Sequence, residues 1–394
     1  MYFNNLDFAI LGIYCFGIIA IASYVSRQGN KQRSPEDYFL AGRSLPWWAI
    51  GASLIAANIS AEQIIGMSGQ GFVVGMAIAT YELTAAIALI VMAKYFLPLF
   101  LKKQIYTMPQ FLEQRFDKRV SLVLAFFWLA VYVFINLTSV LWLGSLAINT
   151  LTGLETFYGL VLLALLSLAY SLWGGLKAVA LTDIIQVVLL IFGGLAVSFI
   201  ALQKIGDGYI GNGLITVFQA VPDKFDMILS EDNPSYSDLP GVWVLLGGLW
   251  IAHFAYWGFN QYITQRALGA KSLPEAQKGV MFAAYLKLLM PLVIVLPGIC
   301  AAVLFPVLEK SDQAYPTMMT LLPNGLLGLT FAALVAAIVS SLASMTNSIS
   351  TIFTMDVYRS FRANSSDATL VNIGRTTSVI ALIIAVFAAT PLLG

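Results

Sequence analysis

The sequence predicts an all-α polytopic membrane protein, built from one leading helix and two halves of five helices. Three observations predict it. The 394 residues are 59% hydrophobic and only 10% charged, whereas a soluble domain carries about 25% charged residues. Ten apolar stretches are long enough to cross a hydrocarbon core about 30 Å thick. Two of these stretches, at corresponding places in the two halves, are interrupted by polar residues and glycines.

The ten predicted spans alternate with loops whose charges indicate the orientation. Basic residues collect in every second loop, for example Lys102 and Arg119 after the third span and Arg266 and Lys271 after the seventh. The loop at 203–242, on the opposite side, is acidic. Because cytoplasmic loops carry the excess of lysine and arginine, the N-terminus is predicted to lie outside the cell. The spans cover residues 8–25, 47–75, 78–101, 121–148, 158–173, 179–202, 243–265, 279–306, 324–354 and 374–393.

Other features of the sequence exclude some classes of function. Cys15 and Cys300 lie in apolar runs and are predicted to be buried thiols rather than a disulfide. The formal net charge of +1 gives no sign of nucleic-acid binding. The spans contain one histidine, no cluster of metal-ligating side chains and no nucleophile–base spacing. An intramembrane enzyme is therefore the least supported class.

The two interrupted spans indicate a transporter. The second span contains LIAANISAEQIIGMSGQGF (54–72), which brings Asn58, Glu62 and Gln63 to membrane depth, and the seventh contains HFAYWGFNQY (253–262). Non-helical backbone survives at that depth only where protein or a water-filled cavity covers it. Broken helices in corresponding places of two repeats are typical of secondary transporters. The alternative is that both are ordinary helices with a few polar residues facing their neighbours.

Counting from the second span divides the chain into four segments. We expect a leading helix and cytoplasmic loop (1–45), a first repeat (46–203), an extracellular loop (204–242) and a second repeat (243–394). The second repeat then holds one helix fewer than the first. Since the sequence ends at ATPLLG just as a span closes, we expect its C-terminal part, with a further helix, to follow Gly394.

Glu82 in the third span and Lys287 in the eighth are the main intramembrane charges. Each costs at least about 2.5–3.5 kcal/mol on insertion scales, so each suggests a function. A carboxylate, an ammonium and the amides of Gln63 and Asn260 suit a neutral ligand with many hydroxyls, because every hydroxyl both donates and accepts. The alternative is a structural Glu82–Lys287 ion pair.

The ninth span offers a candidate ion site. Ala337, Ser340 and Ser341 lie at i, i+3 and i+4, so one helical face presents a carbonyl and two hydroxyls. Sodium is a hard cation that takes oxygen ligands, on the same logic as calcium, and the unwound second span offers further carbonyls. Alternatively, these small residues only allow close packing against a neighbouring helix.

Asp183 and His253 each allow two interpretations. Asp183 lies a few residues inside the sixth span, where it is either an ion relay or a residue near a helix N-terminus that the dipole favours. His253 is the only histidine in the chain. It is either a pH-sensitive group or an ordinary hydrogen-bonding residue.

Five motifs resemble the sodium/solute symporter family, most closely its bacterial sodium/galactose cotransporters. The resemblance runs through essentially the whole chain and implies the inverted five-helix repeat, an extra leading helix, coupling to sodium ions and a place in the bacterial inner (plasma) membrane. The motifs are EDYFLAGRSLPWWAIGASLIAANISAEQIIGMSG, NLTSVLWLG, GGLKAVALTDIIQ, YWGFNQYITQRAL and AAIVSSLASMTNS.

The resemblance, with the candidates above, gives a predicted site. Asp183 matches an aspartate on the sodium exit route. The residues expected to bind the sugar or brace its site are Gln63, Glu82, Lys287, Asn58, His253 and Asn260. The expected gate residues are Tyr256, Met67, Tyr81 and Trp257. The expected sodium ligands are the carbonyls of Ala56, Ile59 and Ala337 and the hydroxyls of Ser340 and Ser341.

Three departures from the family pattern bear on the substrate. His253 stands in place of a sugar-contacting asparagine, Ala85 stands in place of a serine, and a glutamine expected beyond Gly394 is absent. Losing a specific hydrogen-bond partner can change preference by orders of magnitude. The sequence therefore predicts a neutral monosaccharide without specifying galactose. The alternatives are a symporter for proline, sialic acid, inositol or a vitamin, or a sensor domain that binds solute without transport.

Overall fold

The computed structural model describes residues 3–27, 34–239 and 241–393, except the side chains of 18, 19, 22–27, 170–175, 177, 178, 392 and 393. Residues 28–33 of the predicted leading segment thus lie outside the description. Within these ranges the chain is helical, and the only β-type pairing is an isolated bridge between Leu45 and Ala270.

The principal helices are labelled here in chain order. They are α1 (Asn5–Arg27), α2 (Trp47–Asn58), α3 (Glu62–Val73), α4 (Met76–Lys102), α5 (Lys118–Thr152), α6 (Thr156–Ile205), α7 (Gly241–Phe259), α8 (Gln261–Leu268), α9 (Leu273–Leu304), α10 (Leu326–Phe361) and α11 (Asp367–Ala389). Shorter helices in the loops are Pro35–Leu40, Met108–Arg115, Ile210–Ala220 and Ala314–Met319.

The helices correspond to the ten predicted spans. In the described chain, seven helices are long and apolar enough to cross a membrane, and α2 with α3 forms an eighth span bent by 59°. Two shorter apolar helices, Asn5–Gly17 and Thr156–Ala169, account for the other two.

One connection differs from the prediction. Where the sequence predicts a loop between the spans 158–173 and 179–202, α6 is helical throughout from Thr156 to Ile205. The residues after the glycine pair at 174–175 are leucine, lysine and alanine. All three are strong helix formers, which explains why the helical backbone continues here.

Both predicted interruptions are confirmed. After Asn58 the backbone leaves the helix at Ile59 (φ −75°, ψ 71°), and the Ser60 N–H donates to the Asn58 carbonyl at 2.8 Å. A regular helix would direct that N–H to the carbonyl of Ala56, so the break leaves the Ala56 oxygen without this donor. The second break lies at Asn260, whose extended backbone (φ −77°, ψ 120°) separates α7 from α8.

The glycines of the first interruption allow α3 to lie directly against α9. A Cβ atom on Gly71 would stand 2.7 Å from the Val295 carbonyl, and one on Gly298 would stand 2.1 Å from the Ser68 carbonyl. Any larger side chain at either position would force the two helices apart. The glycines therefore have a packing role that holds the half-helix in place.

Helix α10 forms the centre of the molecule. In the most apolar segment of α10, 89% of the residues are buried, whereas in that of α7 only 22% are buried. At its N-terminus the buried carboxylate of Asp7, from α1, accepts hydrogen bonds from the Gly325 and Gly328 N–H groups at 2.7 and 2.8 Å. These are among the N–H groups that a helix leaves unpaired at its start. The leading helix thus caps the helix that carries the predicted sodium ligands.

Candidate functional site

A buried polar group lies where α3, α4 and α9 meet. The Lys287 Nζ is 2.7 Å from the Glu82 Oε2, and both side chains are almost fully buried. The other Glu82 oxygen, Oε1, accepts a hydrogen bond from the Gln63 amide, which also donates to the Met67 sulfur at 3.2 Å. The Lys287 Nζ lies 5.2 Å from the centroid of the Trp257 ring. Five of the predicted site residues are therefore connected by direct pairwise contacts.

His253 forms a neighbouring wall of the same region. Its Nε2 lies 2.7 Å from the Thr84 hydroxyl oxygen, and its ring meets that of Tyr81 edge-on at 6.4 Å between centroids. On α7, His253 lies one turn before Trp257, whose ring faces Lys287. Ala85, next to Thr84, is buried and offers no polar atom.

Hydrogen bonds between tyrosines and the broken ends join the two interruptions. The Asn58 amide donates to the Tyr256 hydroxyl at 3.0 Å, and that hydroxyl is 2.7 Å from the hydroxyl of Tyr262. The Tyr132 hydroxyl donates to the side-chain carbonyl of Asn260 at 2.8 Å. Asn260 thus holds the second break, and among the described residues its side chain is hydrogen-bonded to Tyr132 and not to the Glu82 group.

The predicted sodium ligands lie together where α2 and α10 pack. Ala56, Ile59, Ala337, Ser340 and Ser341 are all buried. The Ser341 hydroxyl donates to the carbonyl of Ala57 at 3.5 Å, across the junction of the two helices. Together with the Ala56 carbonyl released by the break, this face offers oxygen atoms, which suit a hard cation.

Asp183 is the centre of a second buried polar group. Its carboxylate accepts hydrogen bonds from the hydroxyls of Ser53, at 2.5 Å, and Ser340. The Arg266 Nη2 stands 3.9 Å from it. The same guanidinium donates to the Ser53 hydroxyl at 3.2 Å and to the hydroxyl of Ser344. A carboxylate and a guanidinium thus share a set of serines out of contact with water.

Two sequence-based interpretations are corrected by this group. Asp183 is not near a helix N-terminus, because α6 begins at Thr156. Arg266 is not in a cytoplasmic loop, because the chain after the break continues as α8, all of whose residues are buried. The loop assignment failed because the predicted span 243–265 ends inside α8, immediately before the charge of Arg266.

The segment after α9 covers α3 at Gly69. A Cβ atom on Gly69 would lie 2.9 Å from an Asp312 carboxyl oxygen and 3.0 Å from the Ser311 backbone. Burial raises the pKa of the Asp312 carboxyl, and the neighbouring Lys310 opposes the shift. The Lys310 Nζ itself lies 5.8 Å from the Trp142 ring centroid.

Residues 38–393 match the model of the sodium:solute symporter family. The chain belongs to this family, whose coupling ion is sodium. It is 52% identical to a sodium/glucose cotransporter of Vibrio parahaemolyticus, covering 99% of this chain and 75% of the relative. It is 34% identical to a mouse sodium/myo-inositol cotransporter 2, covering 94% of this chain but only 59% of that longer protein.

A solved structure confirms the fold. The outward-open, substrate-bound state of a Na+-coupled sialic acid symporter superposes with a TM-score of 0.86, covering 99% of this chain and 82% of that one. At 23% identity this likeness concerns the fold alone. The symporter family thus explains the broken α2–α3 and α7–α8 pairs as the first and sixth helices of its inverted repeats.

Sequence reasoning missed several residues that the fold of this symporter brings to the site. Thr84 shares a helix with Glu82 but has an unremarkable side chain, and Tyr262 lies inside a motif that was already singled out. Arg266 in YWGFNQYITQRAL had the clearest signal of burial, because no turn-forming residue separates its charge from the broken span. The other missed residues are Ser53, Ser344 and Tyr132.

Proposed function

We propose that the chain is a sodium-coupled secondary active symporter that takes up a neutral monosaccharide of the glucose or galactose type by alternating access. The single observation that carries the proposal is the Gln63–Glu82–Lys287 group beside the broken helix. The 52% identical sodium/glucose cotransporter supports the same assignment.

The chemistry of this group favours an uncharged, polyhydroxylated ligand. The positive charge of Lys287 is neutralised by the Glu82 carboxylate at 2.7 Å, so a ligand carboxylate would meet no unpaired cation and would be repelled by Glu82. A sugar hydroxyl, in contrast, can accept from the ammonium or the amide and donate to the carboxylate. Proline and sialic acid are accordingly weaker candidates. Inositol remains the main alternative, because it is also a neutral polyol and a cotransporter for it is among the relatives.

Sodium, as the co-transported substrate, would bind between α2 and α10 through the carbonyls of Ala56, Ile59 and Ala337 and the hydroxyls of Ser340 and Ser341. Binding there steadies the end of α2. It thereby orients Asn58 and Gln63 for the sugar, and the coupling between the two ligands is reciprocal.

The sodium gradient supplies enough free energy for accumulation. A membrane potential of about 100 mV contributes roughly 2.3 kcal/mol per charge, and a tenfold sodium gradient adds about 1.4 kcal/mol. Together these two energies allow one sodium ion per sugar to sustain a sugar concentration ratio of roughly several hundred across the membrane. Inward release requires Tyr256 to leave its position against Asn58, with Asp183 on the route by which the ion departs.

The proposed location is the inner (plasma) membrane, which the chain crosses several times with its N-terminus outside. The distribution of basic residues between alternate loops supports this orientation. Cysteine labelling from one side of the membrane, at an engineered site in 204–242, would check it.

Equilibrium binding of labelled glucose, with and without sodium, tests the proposed function. Unlabelled galactose, myo-inositol, proline and sialic acid serve as competitors, and Gln63→Ala serves as the site control. We expect binding that requires sodium, is displaced by a hexose, and falls at least tenfold in the variant. Sodium-dependent binding displaced only by inositol would name the alternative substrate. Hexose binding without sodium-driven uptake into proteoliposomes would identify a sensor instead.

A further inference from the structure

The hydrogen bonds around His253 determine which of its ring nitrogens carries the proton. His253 is the only histidine in the chain and is buried on α7. Its Nε2 is 2.7 Å from the Thr84 hydroxyl. That hydroxyl in turn donates to the carbonyl of Thr80 at 2.5 Å, one turn earlier on α4.

A threonine hydroxyl has one proton to donate. Because Thr84 gives that proton to the Thr80 carbonyl, its oxygen can only accept from the imidazole. The Nε2 of His253 must therefore carry the ring proton, and Nδ1 keeps its lone pair. At pH 8, well above the ordinary histidine pKa of about 6.5, the ring carries no second proton.

The remaining surroundings of the ring leave Nδ1 available. Tyr81 and Trp250 meet the ring edge-on, at 6.4 and 6.2 Å between centroids. None of the described residues forms a hydrogen bond with Nδ1. On the same helix, one turn further, Trp257 faces the Lys287 ammonium of the candidate substrate group.

We propose that Thr84 fixes His253 as a hydrogen-bond acceptor, so that the site selects a substrate bearing a hydroxyl that donates at this point. The proposal rests on the proposed function, together with the expectation from the sequence that His253 contacts the sugar. An amide at this position can turn to donate or to accept, but the fixed imidazole accepts only. The site therefore discriminates against a carboxylate, a carbonyl or a fluorine at this point of the ligand, because each presents only lone pairs. Thr84 is a positioning residue, and the substrate class is an uncharged polyol.

The tautomer can be measured without any substrate. Because there is a single histidine, 15N-histidine labelling of the full chain in nanodiscs at pH 8 gives one pair of ring nitrogen signals. We expect the Nε2–H tautomer in the unaltered protein and in Thr84→Ser, which keeps the hydroxyl. We expect a mixture of tautomers in the isosteric Thr84→Val. An Nδ1–H ring, or an even mixture in the unaltered protein, would overturn the proposal.

A series of monodeoxy and monofluoro glucose analogues tests the consequence for selectivity. In sodium-dependent competition, we expect one ring position, besides any hydroxyl that donates to Glu82, where the deoxy and fluoro analogues both bind about tenfold more weakly, the size of one lost hydrogen bond. In His253→Asn and Thr84→Val the fluoro analogue should recover toward the parent sugar, while Thr84→Ser should behave like the unaltered protein.

The two proposals fail in different ways. If no ring position shows a loss on fluorination that recovers in His253→Asn, His253 does not select a donor. If the parent sugar shows no sodium-dependent binding in a folded sample, the proposed function is wrong. The tautomer measurement separately decides whether Thr84 orders the ring.

Discussion

Two buried pairs of opposite charge lie in the part of the chain that the structure describes, and they are built differently. In the first, Lys287 touches Glu82 directly at 2.7 Å. In the second, Arg266 stands 3.9 Å from Asp183, and the hydroxyls of Ser53 and Ser340 occupy the carboxylate oxygens instead. The first pair is a direct contact with a compact ammonium, whereas the second is a carboxylate surrounded by hydroxyls, with a cation behind them.

This difference indicates which groups of each pair can change their hydrogen-bond partner when a ligand arrives. A lysine ammonium has three rotatable donors on a flexible stem, so a sugar hydroxyl can insert beside Glu82 without leaving either charge unpaired. The guanidinium of Arg266 is fixed by bonds to Ser53, Ser344 and the carbonyl of Tyr262, the last at 2.9 Å. Arg266 therefore stays in place, and it is the serine hydroxyls around Asp183 that can turn toward a passing ion.

The largest effect is expected from removing the fixed cation. Arg266→Met leaves the fully buried Asp183 carboxylate without its counter-charge, which costs about 3–5 kcal/mol. We expect a correspondingly large loss of stability, measured as thermal unfolding by the intrinsic tryptophan fluorescence of the purified protein in nanodiscs.

The matched control removes both charges. Replacing a buried ion pair as a unit is often close to neutral, so Asp183→Asn/Arg266→Met should recover most of the stability lost in the single variant. A double variant as unstable as Arg266→Met would show that the arginine stabilises the fold by packing rather than by its charge.

The first pair is expected to affect the substrate rather than the fold. Glu82→Gln/Lys287→Met should unfold close to the unaltered protein but should bind sugar at least about a hundredfold more weakly. Two hydrogen bonds to charged groups are lost, at about 1.5–3 kcal/mol each. Asp183→Asn/Arg266→Met, in saturating sodium, should bind sugar nearly normally. Unchanged sugar binding in the Glu82–Lys287 double variant would make this pair the structural ion pair that the sequence left as an alternative.

The sequence predicts the first of these sites better than the second. Glu82 and Lys287 each stand out alone, because a charge in the middle of an apolar run has a known cost. Asp183 and Arg266 lie near the ends of predicted spans, where charges are common and inexpensive. Only the tertiary packing of α8 against α2 and α10 shows that Arg266 is fully buried, and no periodicity in a segment of eight residues encodes that packing.

The fold itself was more predictable than the local connections. The break after Asn58 follows from a polar, glycine-containing segment in a span, and the break at Asn260 follows from the corresponding segment in the second half. The continuous helix through Leu176 did not follow, because a glycine pair and a lysine between two apolar runs are equally typical of a loop. Hydrogen bonds such as that of Thr84 with His253 depend on side-chain geometry between distant helices, which a single sequence does not specify.

Two serines on one face of α10 test whether the ion site and the Asp183 group are separable. Ser341→Ala removes a proposed sodium ligand and should raise the half-saturating sodium concentration for sugar binding about tenfold, which corresponds to roughly 1.4 kcal/mol. Ser344→Ala, one turn further along, removes the hydrogen bonds to Arg266 and to the Ser340 carbonyl but no proposed sodium ligand. It is the control, with an expected change of less than about threefold. Unaltered sodium dependence in Ser341→Ala, or equal shifts in both variants, would place the ion elsewhere.

The smallest expected effect concerns the chain of contacts that runs from Arg266 to the end of α2. Arg266 donates to the Tyr262 carbonyl, the hydroxyls of Tyr262 and Tyr256 are 2.7 Å apart, and Tyr256 accepts from Asn58 at the end of α2. Tyr256→Phe removes one hydroxyl from this chain, a net loss of about 0.5–1.5 kcal/mol.

Sodium is expected to raise the affinity for sugar by a certain factor. If these contacts couple the two ligands, that factor should be about threefold to tenfold smaller in Tyr256→Phe than in the unaltered protein. Sugar titrations at low and saturating sodium measure that factor, and Tyr262→Phe is the matched variant on the other side of the shared hydrogen bond. Because coupling between two ligands is reciprocal, the same factor must appear when sodium is titrated with and without sugar. A weaker affinity for sugar at both sodium concentrations, with the ratio unchanged, would mean that Tyr256 only closes the site and that these contacts do not couple the two ligands.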